Sequence, residues 1–314
     1  MKRILSLITV MILAVTMFAG CATAPVASVS QAETTVDTST AMTSTASQAS
    51  TAAVETTTDD PMRVISTVPS ATEILFAMGA GDQIVGVDVS STYPEEANAI
   101  EKVGDYNGFD VEKIISLEPD VVFVGQTIQD DQITQLENAG IRTVEVEARA
   151  FADMTESIRM IGEEIDHQVE AEALVVLLEE KVAAVEDAAA TLAASPTVYY
   201  VMGIGEYGNW TSGEGSFIND MIELSGGTCV TADAKNAWIE YPLEDLLLAD
   251  PDILIVSSYV SLEELKADPT YAELSAVKAG NVFVIDADLV ERPGPRIMDG
   301  LQLISEIILN YKPV

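Results

Sequence analysis

VEKIISLEPDVVFV, residues 111–124, has a counterpart 132 residues further on, LEDLLLADPDILIV at residues 243–256. Glu112/Glu244, Pro119/Pro251, Asp120/Asp252 and Val124/Val256 are identical, and the apolar positions between them match in type. Each copy reads as an acid opening a short apolar helix, a Pro-Asp break, and a buried β-run. Two copies predict two similar lobes, one helix–strand unit in each, with a ligand cleft between them. They are too few for a solenoid, which buries its core by stacking three or more.

The flanking sequence extends this pattern. RVISTVPS (63–70) reads as a strand and turn, and Ser70 to Glu73 as a capping box opening a helix that Gly79 stops. QIVGVD, VVFVG and RTVEVE read as strands. Asp110 is placed to cap the helix of the first copy, and DQITQLENAG reads as another helix. In the second half, TVYYVM and NVFVID are strands and SFINDMIELSGG is a helix capped by Ser216 and stopped by Gly226. PRIMDGLQLISEIILNY is a closing helix with Pro295 in its first turn. Strand–helix alternation predicts α/β lobes with mostly parallel sheets. Between them, Gln168 to Ala194 lacks Gly and Pro, with Leu174, Leu177, Leu178, Val182, Val185, Ala189 and Leu192 on one stripe. That segment predicts a single long rigid α-helix of roughly 37 Å.

The N-terminus adds a second signal. Lys2-Arg3, an apolar run from Ile4 and then FAGC (18–21) describe an export signal. The run is too short for a membrane span of about 20 residues. FAGC resembles a lipoprotein box in which Cys21 carries lipid. Residues 22–60, rich in Ala, Thr and Ser and without Lys or Arg, cannot bury a core. As a coil they reach roughly 35 Å. The resulting division is a signal at 1–20, lipidated Cys and tether at 21–61, an N-terminal lobe at 62–165, a connecting helix at 166–195 and a C-terminal lobe at 196–314.

Composition excludes several classes. The 314 residues carry 15 Lys+Arg against 51 Asp+Glu, a net charge of −36, so the basic footprint of a nucleic-acid binder is missing. With Cys21 lipidated, Cys229 has no partner and reads as a small buried residue. One His and no CxxC argue against a metal site. No cofactor is expected: GIGEYG (203–208) matches GxGxxG, but the next helix begins too late to meet a pyrophosphate. No nucleophile–base constellation appears, so no catalytic residue is assigned.

Glu112 and Glu244 each lie in a helical first turn, where dipole complementarity alone accounts for an acid. The repeat, however, places them equivalently on both lobes, suited to gripping basic groups on a partner. Tyr93, Tyr106, Tyr207, Trp210, Trp238 and Tyr241 fall in loops, as suits recognition of a large ligand, though ordinary loop packing accounts for any one of them. Arg292, in VERPGPRI (290–297), reads as a cleft residue, and Arg296 as one closing a surface ion pair.

RVISTVPSATEILFAMGAGDQIVGV (63–87), YPEEANAIEKVGDYNGFDVEKIISLEPDVVFV (93–124), TSGEGSFINDMIELSGG (211–227), WIEYPLEDLLLADPDILIV (238–256) and VERPGPRI together resemble the substrate-binding lipoproteins of ABC importers for cobalamin, siderophores and haem. The resemblance covers nearly all of 62–314 and is nearest to the cobalamin-binding branch. It implies a monomeric, lipid-anchored receptor on the outer face of the cell membrane. It also implies Glu112 and Glu244 docked on an ABC permease dimer served by its ATPase, and a corrinoid or other metal chelate held by Ser70, Tyr106, Trp210, Trp238, Asp288, Glu291 and Arg292. Ser90, Gly125 and Leu289 stand where the enteric cobalamin binder has aromatics. The alternatives are a ferric-siderophore or haem receptor of the same fold, and beyond those a surface sensing or adhesion lipoprotein or a cleft enzyme.

Overall fold

The structure, a computed structural model, describes residues 61–313 except 126, 127, 147 and 149, all within one compact unit, Thr58–Val314. The signal, Cys21 and residues 22–60 lie outside the described residues.

The N-terminal lobe runs β1 (Val64–Ser66), α1 (Pro69–Ala77), β2 (Ile84–Val87), a short hairpin of β3 (Gly104–Asp105) and β4 (Gly108–Phe109), α2 (Val111–Ser116), β5 (Val121–Val124), α3 (Asp130–Asn138), β6 (Arg142–Glu145) and α4 (Phe151–Glu164). Helix α5 (Gln168–Ala189) follows. The C-terminal lobe runs β7 (Thr197–Val201), β8 (Trp210–Ser212), α6 (Phe217–Leu224), β9 (Thr228–Cys229), β10 (Trp238–Glu240), α7 (Leu243–Ala249), β11 (Ile253–Ser257), α8 (Leu262–Ala267), α9 (Ser275–Ala279), β12 (Val282–Ile285) and α10 (Ile297–Asn310). The main sheets are ordered β2-β1-β5-β6 and β9-β7-β11-β12, and every pairing in them is parallel. With β1 equivalent to β7 and β5 to β11, the two orders are the same. The fold is α/β, two lobes of parallel sheet linked by a long helix.

Alternation along the central strands explains the core. Val64, Val121, Phe123, Val198, Tyr200, Ile253 and Ile255 point into one apolar cluster shared by both lobes with α5 and α10. Their neighbours Ile65, Val122 and Val124 face a second cluster under α2 and α3. Tyr199, Val201, Leu254 and Val256 face a third, under α7. A period of two buries both faces of each sheet, which is why these strands read as unbroken apolar runs.

The repeat is one structural unit built twice. Ile114 and Leu246, at the same place in each copy, are fully buried. Glu118 and Asp250, also equivalent, both take the left-handed conformation (φ 48° and 39°) that ends the helix before proline. The sequence casts Pro-Asp as a break, and the aspartate turns out to do more. Asp120 accepts the Arg63 N–H at 2.8 Å, and Asp252 accepts the Thr197 N–H at 2.8 Å. Each carboxylate thereby ties the break to the opening of the neighbouring central strand.

Several expectations need correcting. No capping box forms at Ser70: Pro69 opens α1 with Val68 as N-cap, since its fixed φ suits the first turn. Glu73 is engaged elsewhere. Helix α5 ends at Ala189, short of Ala194. Its buried stripe is Ala171, Val175, Leu178 and Val185, while Leu177 is 49% exposed. Pro295 precedes α10, whose N-cap is Arg296. Gly79 (φ 79°), Gly226 (φ 84°) and the caps at Asp110 and Ser216 are as the sequence indicates.

Candidate functional site

A parallel sheet whose order reverses leaves a crevice beyond the carboxyl ends of its strands, where ligands bind. Here the reversals fall between β1 and β5 and between β7 and β11. The segments that leave those ends carry most of the residues singled out from sequence.

After β12, Asp288 and Arg292 are joined to each other, while Glu291, between them in sequence, is anchored separately. Arg292 Nη2 lies 3.0 Å from Asp288 Oδ1, which also accepts the Tyr259 hydroxyl at 3.0 Å. Arg292 Nη1 donates to the Ser90 carbonyl at 3.3 Å, crossing from the C-terminal lobe to the segment after β2. Glu291 accepts the hydroxyl of buried Tyr200 at 2.6 Å, so this carboxylate is held against the sheet. Burial, and then the Glu291 charge, push the Tyr200 phenol well up; burial and the Asp288 bond raise that of Tyr259. Both remain neutral hydroxyl donors at ordinary pH.

Four residues on from Arg292, at the start of α10, is a second arginine. Arg296 forms a two-pronged pair with Glu73, Nε–Oε2 at 3.0 Å and Nη2–Oε1 at 2.5 Å, and Glu73 is 4% exposed. Glu73 is buried and Arg296 half-buried, so the pair is not the surface contact expected: α1 and the start of α10 both pack into the shared core. The Arg296 guanidinium lies 4.0 Å from the centroid of the Tyr93 ring. Asp88, at the end of β2, is buried beside Ser91, with which it hydrogen-bonds. Burial raises its carboxyl, with Ser91, Ser90, Lys102 and Arg292 opposing.

Trp210 and Trp238 lie on the antiparallel ribbon β8–β10. Trp238 opposes Ser212 and Trp210 opposes Glu240, so both indoles stand on one face as diagonal neighbours, roughly 7–8 Å apart at the backbone. They are 40% and 38% exposed, and Trp238 meets Phe217 edge-on at 5.7 Å. The Met202 N–H bonds to the Trp210 carbonyl at 3.0 Å, fixing the ribbon to the end of β7.

Tyr106 tips the β3–β4 hairpin, 79% exposed. The Val89 N–H bonds to the Gly104 carbonyl at 2.9 Å and holds this hairpin beside β2. Ser70 is buried in the first turn of α1 and presents little surface. Tyr259, 70% exposed after β11, escaped the sequence reading; its place just beyond the second repeat is the signal that would have found it. The GIGEYG stretch forms a 3-10 turn over Gly205–Tyr207, and the next helix begins only at Phe217.

Glu112 and Glu244 are exposed in the first turns of α2 and α7, and neither has an ion pair among the described residues. Both helices lead into a parallel strand, so their N-termini lie at the carboxyl-end edge of each sheet, the edge that bears the crevice. Cys229 is buried, bonds through Sγ to Asn219 and Thr231, and has its thiol pushed up by burial. Among the described residues no cluster of His, Cys, Asp and Glu is arranged to hold a metal, and no helix is long and apolar enough to cross a membrane.

The profile of the family described as periplasmic binding protein matches residues 64–289. The chain belongs to the periplasmic binding protein family. It is 32% identical over 254 residues to an uncharacterized ABC transporter substrate-binding lipoprotein, YvrC of Bacillus subtilis, covering 79% of this chain and 80% of the relative. It is 29% identical over 264 residues to the cobalamin-binding protein of Halobacterium salinarum, covering 80% and 70%. Among solved structures, the apo periplasmic heme-binding protein RhuT of Roseiflexus superposes with a TM-score of 0.73 at 24% identity, covering 80% of this chain and 99% of that one. The vitamin B12-binding protein BtuF of Vibrio cholerae superposes with 0.67 at 23% identity, covering 78% and 96%. These two likenesses show the fold. This periplasmic binding protein is of the ABC-transporter substrate-binding class, a class that binds rather than catalyses.

Proposed function

We propose that this chain is the extracytoplasmic receptor of an ABC importer, tethered by lipid on Cys21, that captures a corrinoid and delivers it to a membrane permease. The observation that carries the ligand class is charge pairing at the crevice. Arg292 is matched by Asp288 and Arg296 by Glu73, with Asp88 and Glu291 close by. No surplus of positive charge is left for haem propionates or a ferric catecholate, both strongly anionic. Exposed aromatic faces at Tyr106, Trp210, Trp238 and Tyr259 suit a large, nearly neutral, amphipathic ligand. The names of the Halobacterium and Vibrio relatives, a cobalamin-binding and a vitamin B12-binding protein, support this choice.

Delivery is assigned to Glu112 and Glu244. They have no ion pair among the described residues, are exposed and equivalent in the two lobes, and stand on the crevice side of each, as suits docking onto paired cations of a permease.

Calorimetry with cyanocobalamin, cobinamide, haemin and a ferric catecholate tests the ligand. Corrinoid binding tighter than about 10 μM (~−7 kcal/mol) is expected, and a preference for haemin or the catecholate would overturn the choice. Glu112→Arg combined with Glu244→Arg should abolish uptake in cells while ligand affinity is unchanged. Lost affinity in that double variant would instead place these residues in the crevice.

A further inference from the structure

The lobes are connected covalently through α5, 22 residues or about 33 Å of helix. A single link along one side leaves opening about that side to be limited by other contacts. The lobes also share the apolar cluster beside α5 and α10 and a bond from the Phe151 N–H to Asp220 at 3.1 Å, and the charged contact that spans them is Glu73–Arg296. Glu73 belongs to the first turns of α1 in the N-terminal lobe and Arg296 caps α10 in the C-terminal lobe, 223 positions apart.

Three features mark this contact as a specific fit. It is two-pronged, with both carboxylate oxygens engaged by a planar guanidinium, a geometry lysine cannot reproduce. It is closed from both sides: the Tyr93 ring covers the guanidinium at 4.0 Å, and a Cβ on Gly294 would stand 3.1 Å from Glu73 Oε2. And it is continuous with the crevice wall, since Tyr93 is 46% exposed and the Arg292–Ser90 bridge joins the same two segments, three residues before Tyr93 and four before Arg296.

We propose that Glu73, Arg296 and Tyr93 form a positioning device that fixes the angle between the lobes and holds Tyr93 rigid as a wall of the crevice. The ligand then enters a preformed site, and the exposed Arg292–Ser90 bridge is the part that yields to it. This rests on the receptor reading for its ligand, but the device itself is testable without one.

Spin labels placed by Glu137→Cys on one lobe and Glu263→Cys on the other, in a Cys21→Ser background, report the interlobe distance; both sites are exposed and Cys229 is buried. The parent should give one narrow distribution that cyanocobalamin does not move. Arg296→Lys and Glu73→Gln should each broaden it without ligand. Apparent cyanocobalamin affinity should fall about tenfold, as when only a fraction of molecules is competent, and the ligand should narrow the distribution again. Distributions as narrow as the parent's, accompanied only by a lower melting temperature, would overturn the proposal and leave the pair a stabilising contact. If the parent binds no cyanocobalamin, the receptor reading fails, while the ligand-free distances still decide the role of the pair.

Discussion

Asp120 and Asp252 occupy the same place in the repeat, yet replacing them with alanine should have unequal effects. Asp120 accepts one bond, from the Arg63 N–H, and is exposed. Asp252 accepts three, from the Thr197 N–H, the Thr197 hydroxyl and the Tyr311 hydroxyl, each at 2.8 Å, and so joins β7, β11 and the C-terminal end of α10. Hydrogen bonds to a charged acceptor are worth about 1.5–3 kcal/mol each when sequestered. Asp252 is only half-buried, and solvent screening reduces that considerably. Asp252→Ala should therefore cost about 2 kcal/mol in total and Asp120→Ala less than about 1 kcal/mol.

The pH dependence has a definite sign. Burial pushes the Asp252 carboxyl up, but the Thr197 and Tyr311 donors outweigh it and the net displacement is downward. A carboxylate depressed on folding stabilises the fold above its unfolded value, about 3.9, and that contribution is lost as pH falls through the lower folded value. Urea unfolding followed by circular dichroism should thus show the full gap between parent and Asp252→Ala at pH 7, and a gap that closes at progressively more acid pH. Equal losses for the two alanine variants at pH 7, or a gap that widens on acidification, would refute the reasoning.

Other outcomes follow from the same geometry. Arg296→Met leaves Glu73 buried and unpaired, so stability should drop by about 3–5 kcal/mol, and adding Glu73→Gln should recover much of it in the same urea titration. Gly294→Ala presses a methyl against Glu73 and should lower stability by about 1 kcal/mol, measured by thermal melting. Trp210→Ala and Trp238→Ala should each weaken cyanocobalamin binding about tenfold, the loss of roughly 1.4 kcal/mol of ring contact. Both rings are more than half covered and Trp238 packs on Phe217, so each variant should also lower the melting temperature by a few degrees.

The sequence by itself determined the lobes. The duplicated helix–Pro-Asp–strand unit, the apolar runs and the Gly, Asp and Ser helix signals are local, since each depends on residues within a turn or on strand period. That is also why Glu112 and Glu244 could be placed in first turns without coordinates, and why the GIGEYG stretch could be set aside. Tertiary structure decided what the polar side chains do. Glu73, four positions after Pro69, looks like half of a capping box, and only the approach of α1 to α10 shows that it belongs to Arg296, 223 residues away. Asp120 and Asp252 look like turn residues until the sheets bring Arg63 and Thr197 beside them. The expected stripe on α5 included Leu177 because sequence period gives the pitch of a helix, while its neighbours α4 and α10 choose which way it turns. Backbone preference is written residue by residue. The partner of a buried charge is set by which chain segments packing brings together, and no local pattern encodes that.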